Sequence, residues 1–195
     1  MLWISNNISK NLAIQIRIIR KPVSNLEPDF LNSFTCENGY ISSFLKEKSQ
    51  STNRDVTYAF IDKDENKIIG FYSLCSNGIT VIKEHIDKET DRSVYRTNIP
   101  AIMVDYFAID EYYRSIPFNE SSSRYDTLSK FLFTFVIEEI RRIANTEVGA
   151  THICLYSVPE AISFYKRSDF KLFDDYMQRD GDPRNNKCTA MFYVL

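Results

Sequence analysis

Residues Ile99–Ile109 read IPAIMVDYFAI, a nearly continuous apolar run interrupted by Asp105. A run of that length and composition suits a central strand covered on both faces. It is followed by a polar stretch, Glu111–Tyr125, with the sequence EYYRSIPFNESSSRY. From Asp126 to about Thr146 the apolar residues Leu128, Phe131, Leu132, Phe135, Val136, Ile140 and Ile143 recur at three- and four-residue steps. That spacing predicts a long amphipathic helix. Asp126 can cap its first turn, and Glu138 and Arg142, four apart in the favourable order, can support its outer face. A second apolar strand is expected over His152–Val158, and Pro159 opens a short helix reaching Arg167, at a position that tolerates proline. Strand, polar loop, helix, strand and helix therefore follow one another here.

Outward from this unit the pattern changes to strands with fewer helices. Leu12–Ile19, LAIQIRII, alternates apolar and polar side chains, the period of a half-buried strand, and Lys21-Pro22 ends it. Phe30–Gln50 reads as one helix, with Phe34, Tyr40, Ile41, Phe44 and Leu45 near one face. Val56–Ile61 and Ile68–Leu74 form the best hairpin in the chain, around Asp62–Lys67. Asn77-Gly78 signals a turn, and Ile79–Asn98 is mixed and charged, with no assigned structure. Phe170–Phe173 and Thr189–Leu195 close the chain as strands. The expected fold is mixed α/β: a central, mixed but mostly antiparallel sheet of about six to seven strands flanked by helices. No linker or repeat interrupts it, so a single domain over residues 1–195 is expected.

Bulk properties exclude several classes. The formal net charge is −2, from 24 basic and 26 acidic side chains, so no strong general attraction to nucleic acid follows. The basic residues Arg179, Arg184 and Lys187 near the C-terminus could meet a nucleic-acid backbone, but Asp180 and Asp182 oppose a strong patch and a solvated turn is the plainer reading. No run approaches the roughly 20 apolar residues of a membrane span, and no signal-peptide pattern is visible. A cytoplasmic protein with no membrane partner is expected. Cys36, Cys75, Cys154 and Cys188 lie far apart with no C-x-x-C pair, which reads as reduced buried thiols and no metal site.

The chemistry is expected where the loop runs into the long helix. A helix N-terminus presents four N–H groups without intrahelical partners and the positive end of the dipole, which suits a pyrophosphate. At this point the sequence resembles the GNAT family of N-acetyltransferases. Phe107-Ala108-Ile109-Asp110 followed by Tyr113-Arg114 is similar to the family's L-A-V-D strand end and basic loop. Ala161, Phe164, Tyr165 and Phe170 match its A-x-x-F-Y-x-x-x-G-F motif, with Asp169 where Gly is usual. Ile68-Ile69-Gly70-Phe71-Tyr72 matches its I-x-G-Y/F strand. More narrowly, Phe34-Thr35-Cys36, Phe44-Leu45, Tyr58-Ala59-Phe60 and Ile99-Pro100-Ala101 resemble the toxin branch, whose members acetylate the amino group of aminoacyl-tRNA and are encoded beside an antitoxin.

The resemblance implies acetyl-CoA as the cofactor, a primary amine as the acceptor, with aminoacyl-tRNA as one candidate, and an antitoxin as a protein partner; a homodimer is compatible with it. It implies that the main chain of Phe107 and Ile109 pairs with pantetheine and that a main-chain N–H near Phe107 or Ala108 polarises the acetyl carbonyl. It makes Tyr165 the general acid, and it places Arg114, Ser122, Ser123 and Arg124 on the phosphates. Core packing is the alternative role for Tyr165, and solvated surface charge that for Arg114 and Arg124. Asp105 is a candidate base or a satisfied polar group. The loop departs from the family's pattern, because no glycine lies between Gly78 and Gly149. Either Ser121, Ser122, Ser123 and Arg124 replace the glycines with hydroxyls, N–H groups and a guanidinium, or the domain is catalytically silent and binds a protein partner.

Overall fold

The computed structural model describes residues 2–8, 12–85, 93–114, 116, 127–173 and 187–195. They form eight strands: β1 (Leu2–Ile8), β2 (Leu12–Pro22), β3 (Val56–Asp62), β4 (Lys67–His85), β5 (Ser93–Ile109), β6 (His152–Ser157), β7 (Lys171–Leu172) and β8 (Thr189–Val194). The helices are α1 (Pro28–Leu31), α2 (Gly39–Ser43), α3 (Glu111–Arg114), α4 (Leu128–Ile143) and α5 (Ile162–Lys166). The chain divides into two compact units, Met1–Cys75 with Asp105–Val136, and Ser76–Val104 with Ile137–Leu195.

In the first unit the strands follow the order β1-β2-β3-β4-β5, and β1 through β4 pair antiparallel. One face of this sheet carries Val23, Leu31, Phe34, Phe44, Leu45, Phe71 and Tyr106, all buried together. Phe44 stacks on Tyr106 at 3.8 Å between centroids, and Phe34 meets Phe71 edge-on at 5.3 Å. Each such aromatic contributes roughly 1.5–3 kcal/mol by leaving water. Elsewhere in this unit α4 supplies Phe133 against Phe107 at 4.9 Å and Phe135 against Phe60 at 5.8 Å.

The expected helix over Phe30–Gln50 is broken. Only α1 and α2 are α-helical within it, and α2 continues into a π turn over Phe44–Lys48. The break lies where Asn38 leaves helical geometry and its side chain accepts from the N–H groups of Tyr40 and Ile41. A local side-chain cap restarts the helix here and outcompetes the apolar periodicity.

In the second unit the order is β4-β5-β6-β8-β7. β5 and β6 run parallel, with Ala101 opposite His152 and Val104 opposite Leu155, as a strand–helix–strand crossover requires. β8 pairs antiparallel with both β6 and β7. Ile140 and Ala144 are buried, and Arg141 Nη2 donates to the Tyr193 hydroxyl at 2.9 Å. The unassigned Ile79–Asn98 segment is largely strand: β4 extends to His85 and β5 begins at Ser93. Asn77-Gly78 is not a turn and lies inside β4.

Two details of α4 differ from the expectation. Thr127 Oγ1 accepts from the Lys130 N–H at 3.2 Å and caps the helix, whereas Asp126 lies outside the described residues. Glu138 pairs with Arg141, three residues on, and Arg142 instead takes Glu139 and Glu147. The helix passes into a π turn over Ala144–Val148, so Glu147 comes within reach of Arg142. Gly149 ends it at φ 65°, a left-handed cap that glycine adopts without strain.

Candidate active site

The end of β5 reaches the expected place by a close backbone approach. A Cβ on Gly70 would lie 2.5 Å from the Ala108 carbonyl oxygen and 2.7 Å from Ile109 Cδ1. Only glycine leaves room for β5 to sit against β4 there. Asp110, the residue after the strand, is buried. Its Oδ2 accepts from the Thr35 N–H at 2.9 Å, and its Oδ1 accepts from the Tyr112 N–H at 3.0 Å. The Glu111 N–H also donates to the Thr35 carbonyl at 3.0 Å. Asp110 is thus a structural clamp that starts α3 and fixes Phe107, Ala108 and Ile109.

Tyr113 makes a second anchor. Its side chain is 2% exposed and its hydroxyl donates to Asp62 Oδ2 at 2.9 Å. Burial first, and the Asp62 carboxylate next, raise the Tyr113 pKa, so the phenol stays a donor. Asp62 Oδ1 meanwhile accepts from the N–H groups of Asp64 and Glu65 in the β3–β4 turn. The mouth of the loop is therefore tied to that turn. Sequence reasoning missed this anchor; the only signal was an aromatic pair, Tyr112-Tyr113, of which Tyr112 is 65% exposed and Tyr113 buried.

Arg114 follows on α3, half-exposed, with Nη1 2.9 Å from Glu37 Oε2. Phe107, Ala108, Ile109 and Arg114 are thus brought together in the first unit. Ser121, Ser122, Ser123 and Arg124 lie outside the described residues, as do Arg179 and Arg184. An exposed guanidinium belongs to the same unit as the first turn of a 16-residue helix, whose leading N–H groups have no intrahelical acceptor.

Asp105 is 11% exposed at its side chain, with Arg54 Nη2 at 3.8 Å from its Oδ1. Arg54 also lies 3.8 Å from Asp55. Asp105 is thus a member of a charged cluster. Cys75 belongs to the same cluster, and burial, reinforced by Asp105 and Asp55, pushes its thiol up to about 12. Cys154 reaches about 12 by burial alone apart from a small opposing bond from Asn77. Both buried thiols are poor nucleophiles. All four cysteines are free, but Cys36 and Cys188 are only partly buried. Among the described residues no group of three or more His, Cys, Asp or Glu could hold a metal.

Tyr165 lies in the second unit, on α5, where the 3-10 turn at Pro159–Ala161 leads into the helix. Its side chain is buried, with the Phe170 ring 5.9 Å away and Tyr193 beyond it at 5.4 Å from Phe170. Burial raises the phenol's pKa, so Tyr165 is neutral at physiological pH and carries a proton it can give. Asp169 stands where the family has glycine, and its φ is +64°. That is left-handed backbone, a region Asp tolerates better than most side chains.

No protein-family model matches the chain, and no curated protein matches it. Solved structures do. A bacterial toxin is 15% identical, with 92% of this chain and 91% of that chain covered and a TM-score of 0.67. A tyrosine mutant of the toxin AtaT, bound to the C-terminus of the antitoxin AtaR, is 16% identical, with 91% and 92% covered and a TM-score of 0.60. AtaTR bound with AcCoA is 17% identical, with 91% and 92% covered and a TM-score of 0.58. The chain shares its fold with these toxin structures, in agreement with the expected mixed α/β fold class.

Proposed function

We propose that this chain is a single acetyltransferase domain of the toxin type, working in the cytoplasm. It transfers acetyl from acetyl-CoA to a primary amine, the amino group of aminoacyl-tRNA, and is held in check by an antitoxin. The observation that carries the reading is the likeness, over nine-tenths of both chains, to AtaTR bound with AcCoA. Acetyl-CoA supplies the thioester that the acceptor amine attacks. Main-chain N–H groups of Phe107 and Ala108 polarise the carbonyl oxygen, an oxyanion-type contribution. Tyr165 gives its phenolic proton to the departing sulfur as the C–S bond breaks, and the amine nitrogen sheds its own proton to water. Arg114, with Ser122, Ser123 and Arg124, takes the phosphates.

A thermal-shift titration with acetyl-CoA tests this directly. Saturation at 100 times the dissociation constant stabilises a binding protein by about 2.7 kcal/mol. Incubation with aminoacylated tRNA and labelled acetyl-CoA should then move the label onto the aminoacyl group. Absence of any shift at millimolar acetyl-CoA would overturn the reading and favour the catalytically silent domain. One observation favours that second reading: Arg114, the cation nearest the glycine-free loop among the described residues, is already engaged by Glu37.

A further inference from the structure

Within the second unit an open cavity of about 830 Å³ lies over β4, β5, β6, β8 and β7. Among the described residues its aromatic lining is the buried Phe170 and a row of three less buried rings. His152 lies 6.0 Å from Phe192, at 35° between planes, and Phe192 lies 4.7 Å from Phe173, at 44°. None of the three is fully buried, so the row offers ring surface to a ligand. Burial lowers the pKa of His152, so its ring is neutral near pH 7 and presents a π face rather than a charge.

Two ammonium groups border the row. Lys171 sits opposite Phe192 in the β7–β8 register, and Lys166 ends α5. Both are exposed line-members of the cavity. Arg17, Arg114, Arg141 and Arg142 each pair with a carboxylate, whereas among the described residues no ion pair involves Lys166 or Lys171. Among the described residues Asp169 is the one acid in the lining, so these side chains together carry a net positive charge. Flat apolar surface flanked by two cations is complementary to a stacked base with its phosphates: stacking tolerates any base, and lysine neutralises the backbone as a point charge.

We propose that this cavity is a docking site for single-stranded RNA, with a base against the His152–Phe192–Phe173 row and flanking phosphates on Lys166 and Lys171. The proposal rests on the acyl-transfer reading only in naming the acceptor's end as the strand to be docked; the site itself needs no acetyl-CoA. The attraction is local and does not require a positive overall charge.

The test is fluorescence anisotropy of a labelled six-nucleotide RNA, with adenosine monophosphate as competitor, on the full chain and on Lys166→Gln/Lys171→Gln. The double variant should weaken RNA binding at least tenfold at low salt. Its log–log salt dependence should become shallower by about 0.7 per lysine removed. Phe192→Leu, which keeps apolar bulk in β8, should weaken binding severalfold with no change in salt slope. Unchanged affinity in the lysine variant would overturn the proposal, as would loss of its acetyl-CoA thermal shift, which would assign the cavity to the cofactor's own nucleotide. An acetyl-CoA shift retained alongside lost RNA binding supports it. Wild-type RNA binding without any acetyl-CoA shift would leave the docking site standing while the enzyme reading fails.

Discussion

A buried phenol with a raised pKa keeps its proton where a free tyrosine, near 10, begins to lose it. For Tyr165 this sets the sign of a pH effect. As a general acid it stays protonated between pH 8 and 10, so kcat should not fall through loss of the acid in that window. Tyr165→Phe removes the proton and nothing of the ring packed near Phe170. The expected loss in kcat is on the order of 10²–10⁴-fold, with acetyl-CoA affinity within about twofold of wild type by titration. Equal kcat in the two proteins would return Tyr165 to a core-packing role. The motif Phe164-Tyr165 was legible in the sequence, and so was the oddity of Asp169; the positive φ of Asp169 was not. A residue's type limits its backbone but does not choose it.

Strand β5 and helix α3 form the element pair on which cofactor binding turns in the proposed mechanism. Gly70→Ala would force its Cβ against the Ala108 carbonyl. β5 must then move, so we expect a destabilisation of about 1–3 kcal/mol and a larger proportional loss of acetyl-CoA affinity. Urea unfolding and cofactor titration of the same variant separate the two effects. Tyr113→Phe keeps the ring and deletes the hydroxyl, leaving Asp62 Oδ2 without that donor. Its urea midpoint should drop by the equivalent of about 1–3 kcal/mol with the slope unchanged. A neutral result would mean that the hydroxyl does not anchor the loop. The strand itself could be read from its apolar run. The clamps could not, because Tyr113–Asp62 and Asp110–Thr35 join residues 51 and 75 positions apart. Periodicity reports on an element's own faces and carries no register with a distant partner.

Across the whole chain, Cys75 and Cys154 tie stability to alkaline pH. Unfolded thiols ionise from about 8.5, whereas these two hold their protons to about 12. Between those values the folded state binds more protons than the unfolded one. The stabilisation is fully present below the unfolded pKa and is lost as pH rises through the window. Stability should fall on the order of 1 kcal/mol per thiol per pH unit above about 8.5. Cys75→Ala/Cys154→Ala should flatten that decline in urea-melt series at pH 8 to 10, whatever its effect at pH 7. A wild-type profile as flat as the variant's would show that other groups govern the alkaline limit.

Local composition was enough to establish the order of the later elements, from the β5 strand through α4 and β6 to α5, whereas the parallel β5–β6 pairing came only from the folded chain. Helix α4 is strongly periodic, β5 and β6 are apolar runs, and Pro159 marks the turn into α5. The folded chain alone fixed where the Phe30–Gln50 segment breaks, how far β4 and β5 extend, which acid caps or clamps which loop, and that Gly70 must be glycine. Each depends on a backbone amide, a carbonyl or a side chain brought close from elsewhere in the chain or by a local cap, and such proximity exists only once the strands have paired.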